Sequence, residues 1–175
     1  MKNWKLGYKF AMLVVLAILG ILASIILGLS ELRSHLLEDR KLKTRHVVEV
    51  AAGILGHYQA LQAQGVLSEE DAKRQAVAAV RVLRYEKEEY FFINDLDNRS
   101  IMHPLKPELE GKDLSGFKDP DGKLFFTEFT RMVKKDGAGF VDYKWEKPGK
   151  AKPVPKISYV QGFAPWGWLI GSGIY

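Results

Sequence analysis

The first pattern along the chain is an unbroken apolar run near its N-terminus. From Phe10 to Leu29 there are 20 residues without a charge. A helix of that length spans about 30 Å, the thickness of the hydrocarbon core of a bilayer. A cleaved signal peptide is the alternative, but its apolar stretch is typically about 7–15 residues long and ends at a small-residue cleavage site. The sequence after Leu29 offers no such site, so the pattern predicts an uncleaved transmembrane helix over residues 10–29.

Helical spacing continues after this run and predicts two further helical segments. Over residues 30–64, apolar side chains recur mostly at three- and four-residue steps, which predicts a long helix that ends at Gln64-Gly65. A helix of this length favours pairing with a second copy, so we expect a homodimer through it. Ser68, followed by three acidic residues, is typical of a helix N-terminus and predicts a second helix over residues 68–85.

The pattern changes to that of strands after Glu88. Short alternating or aromatic-rich runs predict five strands, and an amphipathic run near Phe125 predicts one helix between the second and third of them. The predicted strands are 90–94, 100–103, 139–146, 156–163 and 168–174. Consecutive strands joined by short turns form antiparallel sheets, one face of which the long helix can cover. We therefore predict an α+β fold, with the sheet and any pocket in residues 89–175.

Charge and composition exclude several classes of function. Three lysines before the apolar run supply +3 of the net charge of +5, which leaves only +2 for residues 30–175. A nucleic-acid-binding domain would concentrate positive charge on its folded part, so we expect no nucleic-acid partner. There is no cysteine, which excludes disulfides and thiolate chemistry, and the histidines are not spaced for a metal site. We expect no enzyme, no metal and no cofactor.

The charges beside the apolar run bear on its orientation. Lysines before the run favour a cytoplasmic N-terminus, but basic residues also follow it, mixed with acids, so the rule alone does not decide. Residues 1–9 are too few to form a domain. We therefore expect a cytoplasmic stub at 1–9 and a functional extracytoplasmic domain at 30–175.

Six segments, taken together and in order, carry a resemblance to a known family. They are RYEKEEYFFIND, MHP, EGKDLSGFKDPDGK, GAGFVDYKWEKPG, PKISYV and WGWLIGSGIY. Residues 30–175 resemble the second subtype of the single Cache domain, the extracytoplasmic sensing domain of bacterial chemoreceptors and sensor kinases. The apolar run looks like the first transmembrane helix of such receptors. Those receptors continue into a second span and a signalling module, so we expect the chain to be a truncated or partial receptor.

The resemblance implies the fold, the ligand class and the location. It implies a PAS-like five-stranded antiparallel sheet, with the long N-terminal helix packed across it and a small-ligand pocket on the open face. It also implies a short carboxylate ligand, such as acetate, propionate, pyruvate or lactate, and a place in the bacterial inner membrane with the sensor in the periplasm. Ligand closure of the pocket would then shift the long helix and relay occupancy across the membrane.

A carboxylate site needs cationic, N–H or O–H donors that converge within an apolar lining. The candidates are Arg84, Tyr85, Tyr90, His103, Tyr143, Trp145 and Lys156. Each has an ordinary structural alternative. Arg84 suits the C-terminal end of a helix, the aromatic residues suit a sheet core, and lysine is common at strand edges. A domain that only dimerises or binds a protein partner, without a small ligand, is the alternative function.

Overall fold

The computed structural model describes residues 6–150 and 152–175, so the prediction for residues 1–5 lies outside the described part. Helix α1 comprises Leu6–Ala63. The chain divides into two units, one ending at Arg40 and the other comprising Lys41–Tyr175. In the first unit most of the described apolar side chains of α1 are exposed, and the most apolar 18-residue window of the helix has a mean hydropathy of 3.0. By length and composition, α1 qualifies as one candidate membrane span.

Helix α2, Glu69–Arg81, begins where its sequence predicts but ends earlier. The Ser68 hydroxyl accepts a hydrogen bond from the Asp71 N–H, as expected of an N-cap. The predicted end near Tyr85 is wrong. The helix ends at Arg81, and a tight turn follows in which Glu86 and Lys87 take positive φ angles of 43° and 76°. The residues flanking that turn pair as a short bridge.

The predicted five-stranded antiparallel sheet is confirmed. Its strands in chain order are β1 (Phe91–Asp95), β2 (Ser100–Met102), β3 (Ala138–Glu146), β4 (Pro153–Phe163) and β5 (Trp168–Ile174). They lie side by side in the order β2-β1-β5-β4-β3, with every neighbouring pair antiparallel. Helix α3, Phe125–Asp136, lies between β2 and β3 in the chain, and Gly137 at φ 78° ends it.

Each face of the sheet has its own core because successive side chains of a strand point to opposite faces. One face packs against α1 and α2, and we call it the helix face. Its helical contribution is aliphatic: Val48, Ala51, Ala52, Leu55, Ala72, Ala76 and Val80. The opposite face packs against α3 and the loop after β2, and we call it the loop face. Its core is largely aromatic, with Phe92, Phe125, Phe126, Phe129, Tyr143 and Trp145.

Candidate ligand-binding site

Lys156 is the most unusual residue of the loop face. It lies in the interior of β4 and is only 1% exposed. Its Nζ donates hydrogen bonds to the hydroxyls of Tyr90, at 3.1 Å, and Tyr175, at 3.3 Å. The same Nζ lies 4.3 Å from the ring centroid of Tyr90 and 4.6 Å from that of Tyr175, so both ring faces interact with its charged form.

No described acidic side chain lies within 4 Å of the Lys156 Nζ, so this buried amine has no direct counterion. Burial therefore lowers the pKa of Lys156 to about 7, an effect that the more distant Glu89 opposes. Burial likewise raises the pKa of Glu89. One carboxylate oxygen of Glu89 is buried without a hydrogen-bond partner. A buried cation held only by neutral groups is electrostatically suited to an incoming anion.

Tyr143 extends the polar group along the same face. It is paired with Lys156 in the β3–β4 register, and its hydroxyl lies 2.9 Å from the Ser158 hydroxyl. Burial raises the pKa of Tyr143 well above its ordinary value, so it stays a neutral phenol. Its ring stacks on Phe125 with the centroids 4.3 Å apart. This packing against α3 fixes the direction of the hydroxyl.

His103 follows β2 and closes the other side of the site. Its ring centroid lies 5.0 Å from that of Tyr90 and 5.8 Å from that of Trp145. Its Nδ1 accepts a hydrogen bond from the Lys106 N–H at 3.0 Å, which leaves Nε2 as the protonated nitrogen and thus a donor. Burial, with help from Lys156 and Lys106, lowers the pKa of His103 to about 3. The imidazole is therefore neutral at physiological pH.

An ion pair holds the His103 backbone in place. The Glu110 carboxylate accepts the His103 N–H at 2.9 Å. The same carboxylate forms a two-pronged pair with the guanidinium of Arg81, at 2.7 and 2.8 Å. The end of α2 thereby positions the loop that carries His103. Neither Arg81 nor Glu110 was predicted from the sequence.

Trp145 lines several spaces in the described part of the chain, and an inner and an outer one also contact other residues of this group. The inner one is a cavity of about 10 Å³ bounded by aromatic side chains and His103, which is room for about one water molecule. The outer one is a groove of about 310 Å³ whose wall includes Tyr90. Lys106 spans this groove, with its Nζ 2.7 Å from a Glu146 carboxylate oxygen and 4.8 Å from the Trp145 ring centroid. Trp145 thus contacts both the inner cavity and the groove.

The structure brings together five of the seven candidates and separates the other two. Tyr90, His103, Tyr143, Trp145 and Lys156 share the loop face. Arg84 is exposed, and its guanidinium donates to the carbonyls of Arg81 and Leu83, so it serves the C-terminal end of α2. Tyr85 lies on the helix face, where its hydroxyl is 2.8 Å from that of Ser172.

Three site residues were missed by the sequence analysis. Tyr175 contacts Lys156 directly, and Ser158 bonds Tyr143. The alternation of β4 and β5 contained the signal for both, because Ser158 lies two residues from Lys156 and Tyr175 continues the alternate positions of β5. The burial of Glu89 could not be predicted from strand alternation, because it depends on the tight turn before β1.

The comparison with known protein families decides the identity of the fold. Residues 36–175 match the family described as Single Cache domain 2. The chain belongs to this family. The resemblance expected from the six sequence segments is thereby confirmed.

Similar proteins place this Cache domain among bacterial chemosensory proteins. It is 43% identical to the methyl-accepting chemotaxis protein McpP of Pseudomonas putida over 175 residues, which is all of this chain and 32% of that receptor. It is 31% identical to the sensor histidine kinase MctS of Rhizobium johnstonii over 140 residues, 79% of this chain and 30% of the kinase. The chain therefore spans about a third of the length of these two curated relatives.

Two solved structures resemble the Cache domain closely. One is a periplasmic sensor domain of a chemotaxis protein, 52% identical, with a TM-score of 0.78 over 79% of this chain and 96% of that one. The other is a Cache chemosensory domain described in terms of carboxylic acid recognition. It is 51% identical, with a TM-score of 0.78 over 81% of this chain and 97% of that one. The fold is thus that of a chemosensory Cache domain.

Proposed function

We propose that the Cache domain binds a small monocarboxylate at Lys156. The buried amine of Lys156, without an acidic partner within 4 Å among the described residues, carries this proposal. The hydroxyls of Tyr90 and Tyr175, and the Nε2–H of His103, are the neutral donors grouped on the same face. A related domain of 51% identity recognises carboxylic acids, which supports the same ligand class here.

The aromatic lining favours a ligand with two or three carbons. The inner cavity is about 10 Å³, so even acetate requires an adjustment of the surrounding side chains. Trp145 contacts both the cavity and the groove, and a shift of its indole would join the two spaces. Acetate has four heavy atoms, so its binding free energy reaches at most about −6 kcal/mol, a dissociation constant of tens of micromolar.

The proposal includes a place in the membrane. Residues 10–29 would form the transmembrane helix, residues 1–9 the cytoplasmic stub and residues 30–175 the periplasmic sensor. The exposed apolar surface of α1 and its high hydropathy support the span. The curated relatives include two methyl-accepting chemotaxis proteins, which supports a sensor role in chemotaxis.

We also propose that two copies pair through α1 and relay ligand occupancy along it. Leu29, Leu36 and Val50 are 54–72% exposed and lie at multiples of seven residues, a spacing typical of helix pairs. A route from the site to α1 begins at Tyr90, whose carbonyl accepts the Ser172 hydroxyl at 2.5 Å. Ser172 in turn bonds Tyr85, which lies against the helix face.

Isothermal titration calorimetry of the full chain in a nonionic detergent tests the ligand proposal. Acetate, propionate, pyruvate and lactate are titrated separately, with propanamide as an uncharged control of the same size as propionate. We expect micromolar binding of at least one acid and no heat from the amide, because the amide cannot neutralise Lys156. Equal binding of propionate and propanamide, or no binding of any acid, would refute the proposal.

One observation favours the alternative function, a dimerisation or partner-binding module without a small ligand. The loop-face core is already tightly filled by aromatic rings, with Phe125 and Phe126 centroids 4.3 Å apart. In that case the melting temperature would be the same with and without each acid. A ligand that binds only the native state must raise the melting temperature, so a thermal melt separates the two functions.

A further inference from the structure

We propose that carboxylate binding to the Cache domain is coupled to the uptake of one proton, which Lys156 holds in the complex. This inference rests on the proposed function. In this step the neutral Lys156 amine takes up a proton from solvent. The resulting ammonium group then pairs with the bound carboxylate. The sensor would then respond to the acid and to the pH together.

The geometry around Lys156 supports this coupling. The Nζ is enclosed by two phenol hydroxyls and two ring faces, and its side chain is 1% exposed. Taking a charge out of water without a counterion costs several kcal/mol, and a buried group avoids that cost by becoming neutral. A bound carboxylate supplies the missing counterion and restores the charged form of the amine.

Other titratable groups face Lys156, and each must be considered as a proton acceptor. They are Glu89 and Tyr90 just before β1, His103 after β2, Tyr143 in β3 and Tyr175 after β5. The three tyrosines are already protonated, because burial raises their pKa values. The pKa of His103, about 3, is too low for proton uptake near neutral pH. Glu89 is the competing acceptor, because its carboxylate is partly buried and would be repelled by a second carboxylate.

The direction of the pH effect follows from the charge of Lys156. In the empty site the pKa of Lys156 is lowered to about 7, and a bound carboxylate raises it. Below the empty-site pKa the amine is charged with or without ligand, so affinity is constant and no proton is taken up. Above it, affinity falls by about tenfold per pH unit until the pKa of the complex is reached, and uptake approaches one proton.

Calorimetry in buffers of different ionisation enthalpy measures the uptake. Propionate is titrated into the full chain in nonionic detergent at about pH 6 and about pH 8.5, on either side of the empty-site pKa. At each pH, two buffers are used that both buffer well at that pH and differ in ionisation enthalpy. We expect uptake near zero at the lower pH and approaching one proton at the higher pH. Binding whose heat is independent of the buffer at the higher pH would overturn this inference but leave carboxylate binding intact. Absence of binding at both pH values would overturn the proposed function itself.

Two variants identify the residue that receives the proton. Lys156→Arg keeps a permanent positive charge. Provided that this variant folds and binds propionate, its proton uptake should be zero at both pH values. Glu89→Gln removes the competing acceptor and also the acid that raises the Lys156 pKa, so uptake at neutral pH should persist or increase. Loss of uptake in Glu89→Gln would assign the proton to Glu89 and contradict the role of Lys156. Because Glu89 is only partly buried and glutamine has nearly the same size and shape, this second variant remains decisive if the arginine does not fit.

Discussion

The two faces of the same sheet are built for different purposes. On the helix face, α1 and α2 contribute small and aliphatic side chains such as Val48 and Leu55, which have no polar atoms to satisfy. On the loop face, the core is aromatic and encloses the polar groups of Lys156, His103 and Tyr143. Apolar burial stabilises a fold, whereas a buried cation without an acidic partner destabilises it. The comparison indicates that the helix face supplies stability, whereas the loop face holds a destabilising buried cation, which the proposed function explains by carboxylate binding.

A cavity on the helix face should have the largest effect on stability. Leu55 is fully buried, so Leu55→Ala should lower the free energy of unfolding by about 3 kcal/mol, while the affinity of the folded protein for propionate stays unchanged. Urea denaturation and calorimetry measure the two effects. Val66→Ala, at a position 64% exposed just after the end of α1, is the control and should change neither. A large loss of affinity in folded Leu55→Ala would contradict the separation of the two faces.

Replacement of the buried cation should have the opposite pattern. Lys156→Met keeps an apolar side chain of similar volume, so it should abolish propionate binding and leave the free energy of unfolding equal or about 1 kcal/mol higher. The same two measurements apply, with Lys134→Met on the exposed end of α3 as the control. Substantial unfolding of Lys156→Met would show that the lysine is a structural residue of the loop face.

Acid should destabilise the domain through the loop face. Because burial lowers the pKa of His103 to about 3, the unfolded chain binds a proton that the folded chain excludes as the pH falls below about 6.5. As the pH falls from about 7 to about 5, the free energy of unfolding should therefore decrease by about 2 kcal/mol. Urea denaturation across this pH range should show a smaller loss of unfolding free energy in His103→Gln than in the unmodified chain. His57→Gln, at an exposed position of α1, should retain the full loss.

A methyl group added on the loop face of β5 should cause overpacking. A Cβ at Gly171 would lie 2.5 Å from the Phe92 Cζ and 2.9 Å from a Val160 methyl carbon. Gly171→Ala should therefore lower the free energy of unfolding by about 1–2 kcal/mol and weaken propionate binding, since Phe92 lines the inner cavity. Gly116→Ala, where no atom lies within 4 Å of the added carbon, is the control for both measurements.

The smallest effect is expected outside both cores. Arg84 bonds only helix-terminal carbonyls and is exposed, so Arg84→Ala should leave propionate affinity unchanged and lower the free energy of unfolding by a few tenths of a kcal/mol. Calorimetry compares it directly with Lys156→Met. A tenfold loss of affinity in Arg84→Ala would mean that this guanidinium reaches the ligand, as the sequence analysis expected.

The strands were predictable because their chemistry is local and periodic. Alternation along β3 predicted that Tyr143 and Trp145 share one face, and the same rule applied to β4 and β5 accounts for the positions of Lys156, Ser158 and Tyr175. The end of α2 was not predictable in this way. The turn after it places Glu86 and Lys87 at positive φ, although neither is a residue type that favours that conformation.

The details of the site depend on contacts between distant segments. Glu110 aligns His103 through a pair with Arg81, which lies 29 residues away in the chain. The lowered pKa of Lys156 likewise depends on the burial created by the surrounding strands and loops. Such long-range effects leave no periodic pattern in the sequence. The family resemblance supplied the ligand class, whereas only the structure separated Lys156 from Arg84 as the buried cation.

A crystal structure of the chain with 3-bromopropionate tests the central claim most directly, because the anomalous signal of bromine locates the ligand independently of the protein. We predict the carboxylate within about 3 Å of the Lys156 Nζ, with the carbon chain among the aromatic side chains of the loop face and the Trp145 indole displaced. A ligand found instead in the outer groove beside Lys106, with the Lys156 contacts to Tyr90 and Tyr175 unchanged, would contradict it.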